Sequence, residues 1–293
     1  MERVKWIDGA KGIAILMVMS IHLMQYLPRP DWVFKIFFFG AMGVQLFFIM
    51  SAYCLCMTWR PEKFNRWYWL RKYRRLAPWY LFGIVFYAAY WLFVSKEDGI
   101  RYYTFNNVVA NIFFLNGFVE DAQNTIVPGG WSISAIALFV FAFPLFAFMK
   151  RWTRVLVLIG CSVLFSGIMA YGYLHLGLDR QFTYCHPLCQ FGVFAIGVIV
   201  WDYREALSRF YDRKKVVIVG GGLIFFLLCV LAVFLNKDMA ILYRQYLISL
   251  TYVSVLPLLQ KCESHIPSWL VWAGRHSYEL FILHFAIIWI LLK

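Results

Sequence analysis

The sequence predicts an all-α integral membrane protein: a polytopic bundle of about 9–10 transmembrane helices, one of them re-entrant, with a cytoplasmic N-terminus. Three observations carry this. Of the 293 residues, 62% are hydrophobic and 20% aromatic, a composition foreign to a soluble chain of this length. The apolar residues gather into runs of about 20, the length that crosses roughly 30 Å of hydrocarbon. The cations concentrate in short segments between those runs, as the positive-inside rule asks of cytoplasmic loops.

The runs fall at 10–27, 33–57, 77–94, 108–118, 131–149, 155–175, 187–201, 216–235, 246–259 and 269–292. No small-residue cleavage site follows the first, so it reads as a retained helix and not as a signal peptide. Run 108–118 is too short for an untilted span and is expected as a half-helix. Three basic clusters separate the runs. Residues 60–75 carry Arg60, Lys63, Arg66, Arg71, Lys72, Arg74 and Arg75 against Glu62. The second is Lys150, Arg151 and Arg154, and the third Arg204, Arg209, Arg213, Lys214 and Lys215. With Arg3 and Lys5 inside, nine full crossings put every cluster in the cytoplasm; a tenth, by 108–118, would put the second and third outside. VEDAQNTIVPGG (119–130) is then expected at the outer face. With no fixed repeat and no low-complexity linker, one membrane domain is expected over 1–293.

The net charge of +13 would suggest nucleic acid in a soluble protein; here membrane topology accounts for it, and no nucleic-acid partner is expected. CHPLC (Cys185, His186, Cys189) could hold a metal or a disulfide, but its aromatic-rich membrane-edge setting favours neither, and no metal site is expected.

Ionisable groups inside a bilayer are costly and mark function by default. In WIDGAKGIAILMVMSIHL (6–23), Lys11 and His22 stand eleven residues apart. Eleven helical steps leave an offset of about 20°, so both line one face, about 16 Å apart along the axis. Lys11 then lies toward the cytoplasm and His22 toward the outer surface. The structural alternatives are a snorkelling Lys11 paired with Asp8, and an interfacial His22 just before Gln25 and Pro28. In GRHSYELFILHFAI (274–287), Glu279 and His284 fall in the last run. Glu279 needs a partner, and Lys11, His22 or an arginine of 71–75 would serve; such a pair could equally do no more than lock the bundle. RKYRRLAPWY (71–80) packs Arg71, Lys72, Arg74 and Arg75 into five positions at a helix entrance. That many cations suits phosphate oxygens, on lipid headgroups or on a nucleotide-like ligand.

Five segments, in order along nearly the whole chain, give a resemblance to the acyltransferase-3 family, integral-membrane acyltransferases that modify bacterial surface glycans. IDGAKGIAILMVMSIH (7–22) is similar to its D-G-x-(R/K)-G-x-A start with the basic-x10-His spacing. GVQLFFIMSAY (43–53) resembles G-V-x-x-F-F-x-x-S-G-(F/Y), with Ala52 in place of the usual glycine. RKYRRLAPWY matches R-(R/K)-x-x-R-(I/L)-x-P, and GGWSISAIALFVFAFPLF (129–146) the W-(S/F)-L block. GRHSYELFILH (274–284) resembles the terminal S-(Y/L)-x-x-(Y/F)-L-x-H. Many members carry an acid five residues after the tryptophan, where Ile136 stands here, and this draws attention to Glu279. No fused hydrolase-like domain is expected.

The resemblance implies an acyl-CoA co-substrate, such as acetyl-CoA from the cytoplasm, with no tightly bound cofactor. The implied acceptor is a glycan or lipid-linked saccharide, and the implied place the bacterial plasma (inner) membrane, in contact with its lipids. Arg71, Lys72, Arg74 and Arg75 would hold the donor phosphates, and the thioester would lie near His22. His22 would act as base toward the acceptor hydroxyl or as a transient acyl carrier; both roles need the neutral imidazole. Glu279 would orient it, and Lys11 would steady the donor. Asp8, Ser51, Trp131, Ser277 and His284 would support the site, although small-residue helix packing explains both serines as well. A transporter or flippase for a lipid-linked glycan would use the same polar cavity without chemistry, but the chain has no inverted repeat.

Overall fold

The apolar runs of the sequence are largely helical, and no strand occurs among the described residues, which in this computed structural model are 4–95, 98–234 and 240–292. Arg3 and the last residue of the run 216–235 lie outside them. The first helix, α1 (Lys5–Tyr26), stops at Leu27, which is extended as the residue before a proline must be. α2 (Asp31–Phe37) continues through a 3-10 segment, Phe38–Met42, into α3 (Gly43–Thr58). α4 (Tyr68–Ala89) ends in a π-helical stretch, Tyr90–Ser95. Then come α5 (Phe105–Ile112), α6 (Gly130–Ala147), α7 (Arg151–His175), α8 (Arg180–Cys185) and α9 (Pro187–Asp202). α10 (Arg204–Phe234) bends at Lys214, where the charged start of the helix meets its apolar length. α11 (Ala240–Lys261), α12 (Ser268–Arg275) and α13 (Ser277–Leu291) complete the chain.

Among the described residues, seven helical stretches are long and apolar enough to cross a membrane: α1, α2–α3, α4, α6, α7, α8–α9 and α10. The protein is thus a multi-pass, all-helical membrane protein. α11 matches α1 in length, and α13 is a shorter apolar helix. Run 108–118 is α-helical only to Ile112, within α5, whose eight residues make about 12 Å of helix, too little to cross.

Two features differ from a plain reading of hydropathy. The last run, 269–292, is not one helix: it breaks at His276, between α12 and α13. The segment 119–130 is no loose surface loop either, since Gln123, Ile126 and Val127 are buried.

The chain packs as two compact units. One comprises chiefly Met1–Met57 and Gly192–Phe281, the other Thr58–Phe191 and Ile282–Leu291. In the first, Trp6, Tyr53 and Trp201 stack edge to face at 5.3 and 5.0 Å, tying α1, α3 and α9 together. A further cluster of Met42, Cys229 and Ile248 joins the 3-10 segment to α10 and α11.

The second unit is organised by a buried polar seam around α5. The Tyr80 hydroxyl donates to Asn111 Oδ1 at 2.8 Å, and Asn111 donates on to the Asn107 carbonyl at 2.9 Å. Past the helix end the chain turns at Phe114, whose φ of 58° is unusual for a residue with a side chain. Its buried ring, 5.6 Å from Tyr73 and 5.3 Å from Tyr80, and the Ser134 hydroxyl donating to its carbonyl at 2.6 Å hold that conformation. Ser134 also accepts the Gly117 amide, and Gln123 donates to the Phe182 carbonyl. Backbone that leaves a helix inside a membrane domain must find such partners, because lipid offers none. The C-terminal part of α13 packs here too: Tyr87 donates to the Ile282 carbonyl at 2.8 Å, and Trp289 lies against Tyr87, Tyr90 and Trp91.

Candidate active site

The start of α1 carries three residues with little or no side chain, Gly9, Ala10 and Gly12, and this lets another helix approach its backbone. α12 does so. A Cβ on Gly12 would overlap the Leu270 carbonyl oxygen, and one on Gly274 would overlap that of Asp8. Only glycine fits at either position. Over this crossing the Asp8 carboxylate accepts from Arg275 Nε at 3.2 Å. Nearby, the Trp6 amide donates to Glu263 Oε1 at 3.1 Å, and Lys5 to the Ser264 carbonyl at 3.5 Å. The motifs at 7–22 and 274–284, some 267 residues apart at the ion pair, are therefore in direct contact.

Asp8 thus serves Arg275 and not Lys11, so the local Asp8–Lys11 pair does not form. Lys11 is half-buried and makes no ion pair or hydrogen bond among the described residues. The same holds for Glu279, in the first turn of α13, so no pairing of Glu279 with Lys11 or His22 is seen. Ser51, half-buried on α3, and Ser277, buried at the start of α13, also make no hydrogen bond among the described residues.

His22 is half-buried near the end of α1, and its Nδ1 lies 2.9 Å from Gln25 Oε1. With Gln25 Oε1 as the acceptor, a neutral ring carries its proton on Nδ1. The Gln25 contact favours that tautomer. The sequence carried this signal as an amide three residues beyond the histidine, one helical turn on. Gln25→Ala is expected to lower the catalytic rate while leaving the melting temperature unchanged, and Gln25→Asn, too short to reach, should behave alike. Full rates in both variants would show that the bond has no catalytic use.

The remaining candidates lie in the second unit. Arg71 is committed: its guanidinium donates to Asn65 Oδ1 at 2.9 Å and to the Lys63 carbonyl at 2.7 Å, fastening the turn before α4. The Lys72 ammonium lies 5.2 Å from the centre of the Tyr68 ring. Arg74 and Arg75 are exposed and make no ion pair among the described residues. Trp131 follows Gly129, whose φ of 79° turns the chain into α6, and packs against Tyr184 at 5.8 Å. His284 is fully buried, with its ring 4.4 Å from that of Phe285.

Within the first unit, α1 bears His22 beside Gln25 and Lys11 without an acid partner among the described residues; within the second, α4 presents the exposed Arg74 and Arg75. Comparison with known proteins places the chain in a family. The family model described as an acyltransferase domain matches residues 4–293. A protein of Staphylococcus aureus (strain COL) that carries an O-acetyltransferase name is 23% identical over 324 residues, 98% of this chain and 51% of that one. The peptidoglycan O-acetyltransferase OatA of Listeria monocytogenes is 26% identical over 319 residues, 96% of this chain and 49% of that one. The chain thus spans about half the length of the curated relatives it matches. No solved structure matches. With nearly every residue inside the family model, and with the motifs from its two ends joined at the α1–α12 crossing, the chain belongs to the acyltransferase-3 family.

Proposed function

We propose that this chain is an O-acyltransferase of the bacterial plasma (inner) membrane, moving an acyl group, acetyl from acetyl-CoA, to a hydroxyl of a surface or lipid-linked glycan. The observation that carries the reading is the His22–Gln25 bond on a helix that also bears a Lys11 without an ion-pair partner among the described residues, within a chain matched throughout by an acyltransferase family. The glycan acceptor is supported by the name of the Listeria relative.

The donor enters from the cytoplasm and is a co-substrate; nothing in the scheme needs a resident cofactor. Its phosphates meet Arg74 and Arg75, with Lys72 and Arg71 adding positive charge. Guanidinium groups suit this because their forked donors match phosphate oxygens. The thioester reaches toward His22 past Lys11, whose ammonium steadies the donor. The acceptor hydroxyl approaches from the outer side. As its oxygen attacks the thioester carbonyl, Nε2 of His22 takes its proton; the carbon–sulfur bond breaks, and the departing thiolate receives that proton in turn. Glu279 balances the transient imidazolium. The multi-pass fold supports a reaction carried out in the membrane, between a soluble donor and an acceptor at the other face.

Membranes holding the protein, given acetyl-CoA radiolabelled in the acetyl group, should yield labelled glycan, and membranes without it should not. Absence of labelled product with intact protein would sink the reading and leave transport of the glycan as the function. Arg74→Ala and Arg75→Ala should each raise the donor KM, by about tenfold for the loss of one charge-assisted hydrogen bond, with kcat nearly unchanged. A changed acceptor KM with an unchanged donor KM would refute the phosphate assignment.

A further inference from the structure

The α1–α12 crossing is made largely of small residues, and its glycines set which residues meet without fixing the helices to within an ångström or a few degrees. Gly9, Ala10 and Gly12 leave backbone bare over a turn of α1, as Ala273 and Gly274 do on α12. Between helices in lipid no hydrophobic effect selects one offset over another, because lipid tails are as apolar as leucine. Packing excludes a slide by a whole residue, since a side chain would then meet the Leu270 or Asp8 carbonyl, but it leaves smaller slides and rotations of α1 open. The ion pair does not tolerate them. Asp8 and Arg275 meet at 3.2 Å, with the Asp8 side chain only 13% exposed and that of Arg275 45% exposed. A displaced α1 would leave that carboxylate largely buried without its cation, a costly state. Single buried polar contacts are the best-attested way of fixing register between helices whose apolar surfaces are permissive.

Both partners adjoin groups assigned to the reaction. Lys11 follows Asp8 by three residues on α1, and Glu279 follows Arg275 by four, across the break at His276. Asp8 is withheld from Lys11 by the same contact. The break detaches α13 from the line of α12, so Arg275 is the last residue whose place the crossing determines before Glu279.

We propose that Asp8 and Arg275 are positioning residues: their ion pair pins the height and rotation of α1 against α12, and so sets where Lys11 and His22 stand relative to Glu279. Their role in catalysis rests on the reading of those three as the reacting groups; the pin itself does not. Neither residue touches substrate in this account. It predicts that removing either charge moves the helix and slows chemistry without weakening donor binding.

Two readouts test it, one of them independent of activity. Spin labels would be placed at Leu16 on α1 and Trp272 on α12, both exposed, in the full chain with its seven cysteines replaced. The distance distribution would be measured for the parent, for Asp8→Asn, for Arg275→Gln and for the exchanged pair Asp8→Arg with Arg275→Asp. Asp8→Asn preserves shape, and only protein that elutes as a folded species is measured. Each single variant should shift or broaden the distribution, and the exchange should restore it. In unlabelled protein, kcat for acetyl transfer should fall about 10- to 100-fold in the single variants, the cost of misplacing reacting groups by about an ångström. The donor KM should hold, and the exchange should recover most of the rate. Distances unchanged in both single variants would overturn the pin. A lowered kcat with unchanged distances would also overturn it, since the residue would then act directly. If the parent transfers no label, the function is refuted while the distances still judge the pin.

Discussion

His22→Ala is expected to abolish acyl transfer while the protein stays folded, the rate falling by about two to four orders of magnitude, the usual contribution of a positioned base. If His22 carries the acyl group itself, the loss is complete and no labelled enzyme forms on brief exposure to radiolabelled acetyl-CoA. The parent would show such a species, stable at neutral pH only briefly. Folding should survive because the side chain is half-buried and its hydrogen bond runs to Gln25 on the same helix, so its loss opens no large cavity in the core. Label incorporation and a melting curve on the same preparation decide the matter. Transfer at the parental rate would remove His22 from the site, and with it the reason to read the Lys11 face as the donor's path.

The second large effect is on folding. Gly274→Ala should destabilise the protein by about 1–3 kcal/mol or more, the cost of overpacking a closed contact, because its new methyl group would overlap the Asp8 carbonyl oxygen. Gly220→Ala and Gly221→Ala on α10 make the control, since nothing lies within 4 Å of a Cβ at either position. Alanine's higher helix propensity should leave those two neutral or slightly stabilised. Melting temperatures of the three, measured in one detergent, test the crossing directly. A Gly274→Ala protein that melts with the α10 pair would mean that α1 and α12 do not meet as described.

The helices themselves were legible in the sequence, because a membrane span is defined by length and hydropathy, which are local. The half-helix could be seen for the same reason: run 108–118 is simply too short. What holds it could not be seen. Asn107, Asn111, Asn116 and Gln123 look like ordinary loop residues until the chain folds and buries them around Tyr80. The break at His276 was marked only by the short polar stretch GRHSYE (274–279) inside a run that is apolar at both ends, and polar residues in a span read as readily as functional groups as they do as a helix break. Asp8 shows the limit most plainly. Its sequence neighbourhood offers Lys11, three residues away, whereas its partner Arg275 lies 267 residues off, and no local spacing encodes that choice. Lys11 and His22 were recognisable by periodicity alone, but the role of Gln25 needed coordinates to show which ring nitrogen it faces.

The helices differ widely in how much of themselves they bury: 83% of the apolar stretch within Arg180–Asp202, against 17% in Arg151–His175 and 11% in Arg204–Leu231. In a library of single substitutions these three would leave different signatures. α9 should read as a nearly unbroken column of intolerance, since each side chain there is part of a packed interior. α7 and α10 should accept almost any exchange among leucine, isoleucine, valine and phenylalanine, while rejecting charge. Genetic drift in this protein therefore has a direction, running along the helices that face outward and sparing those within. Two members of the family could differ at most positions of α7 and α10 and still share one machine.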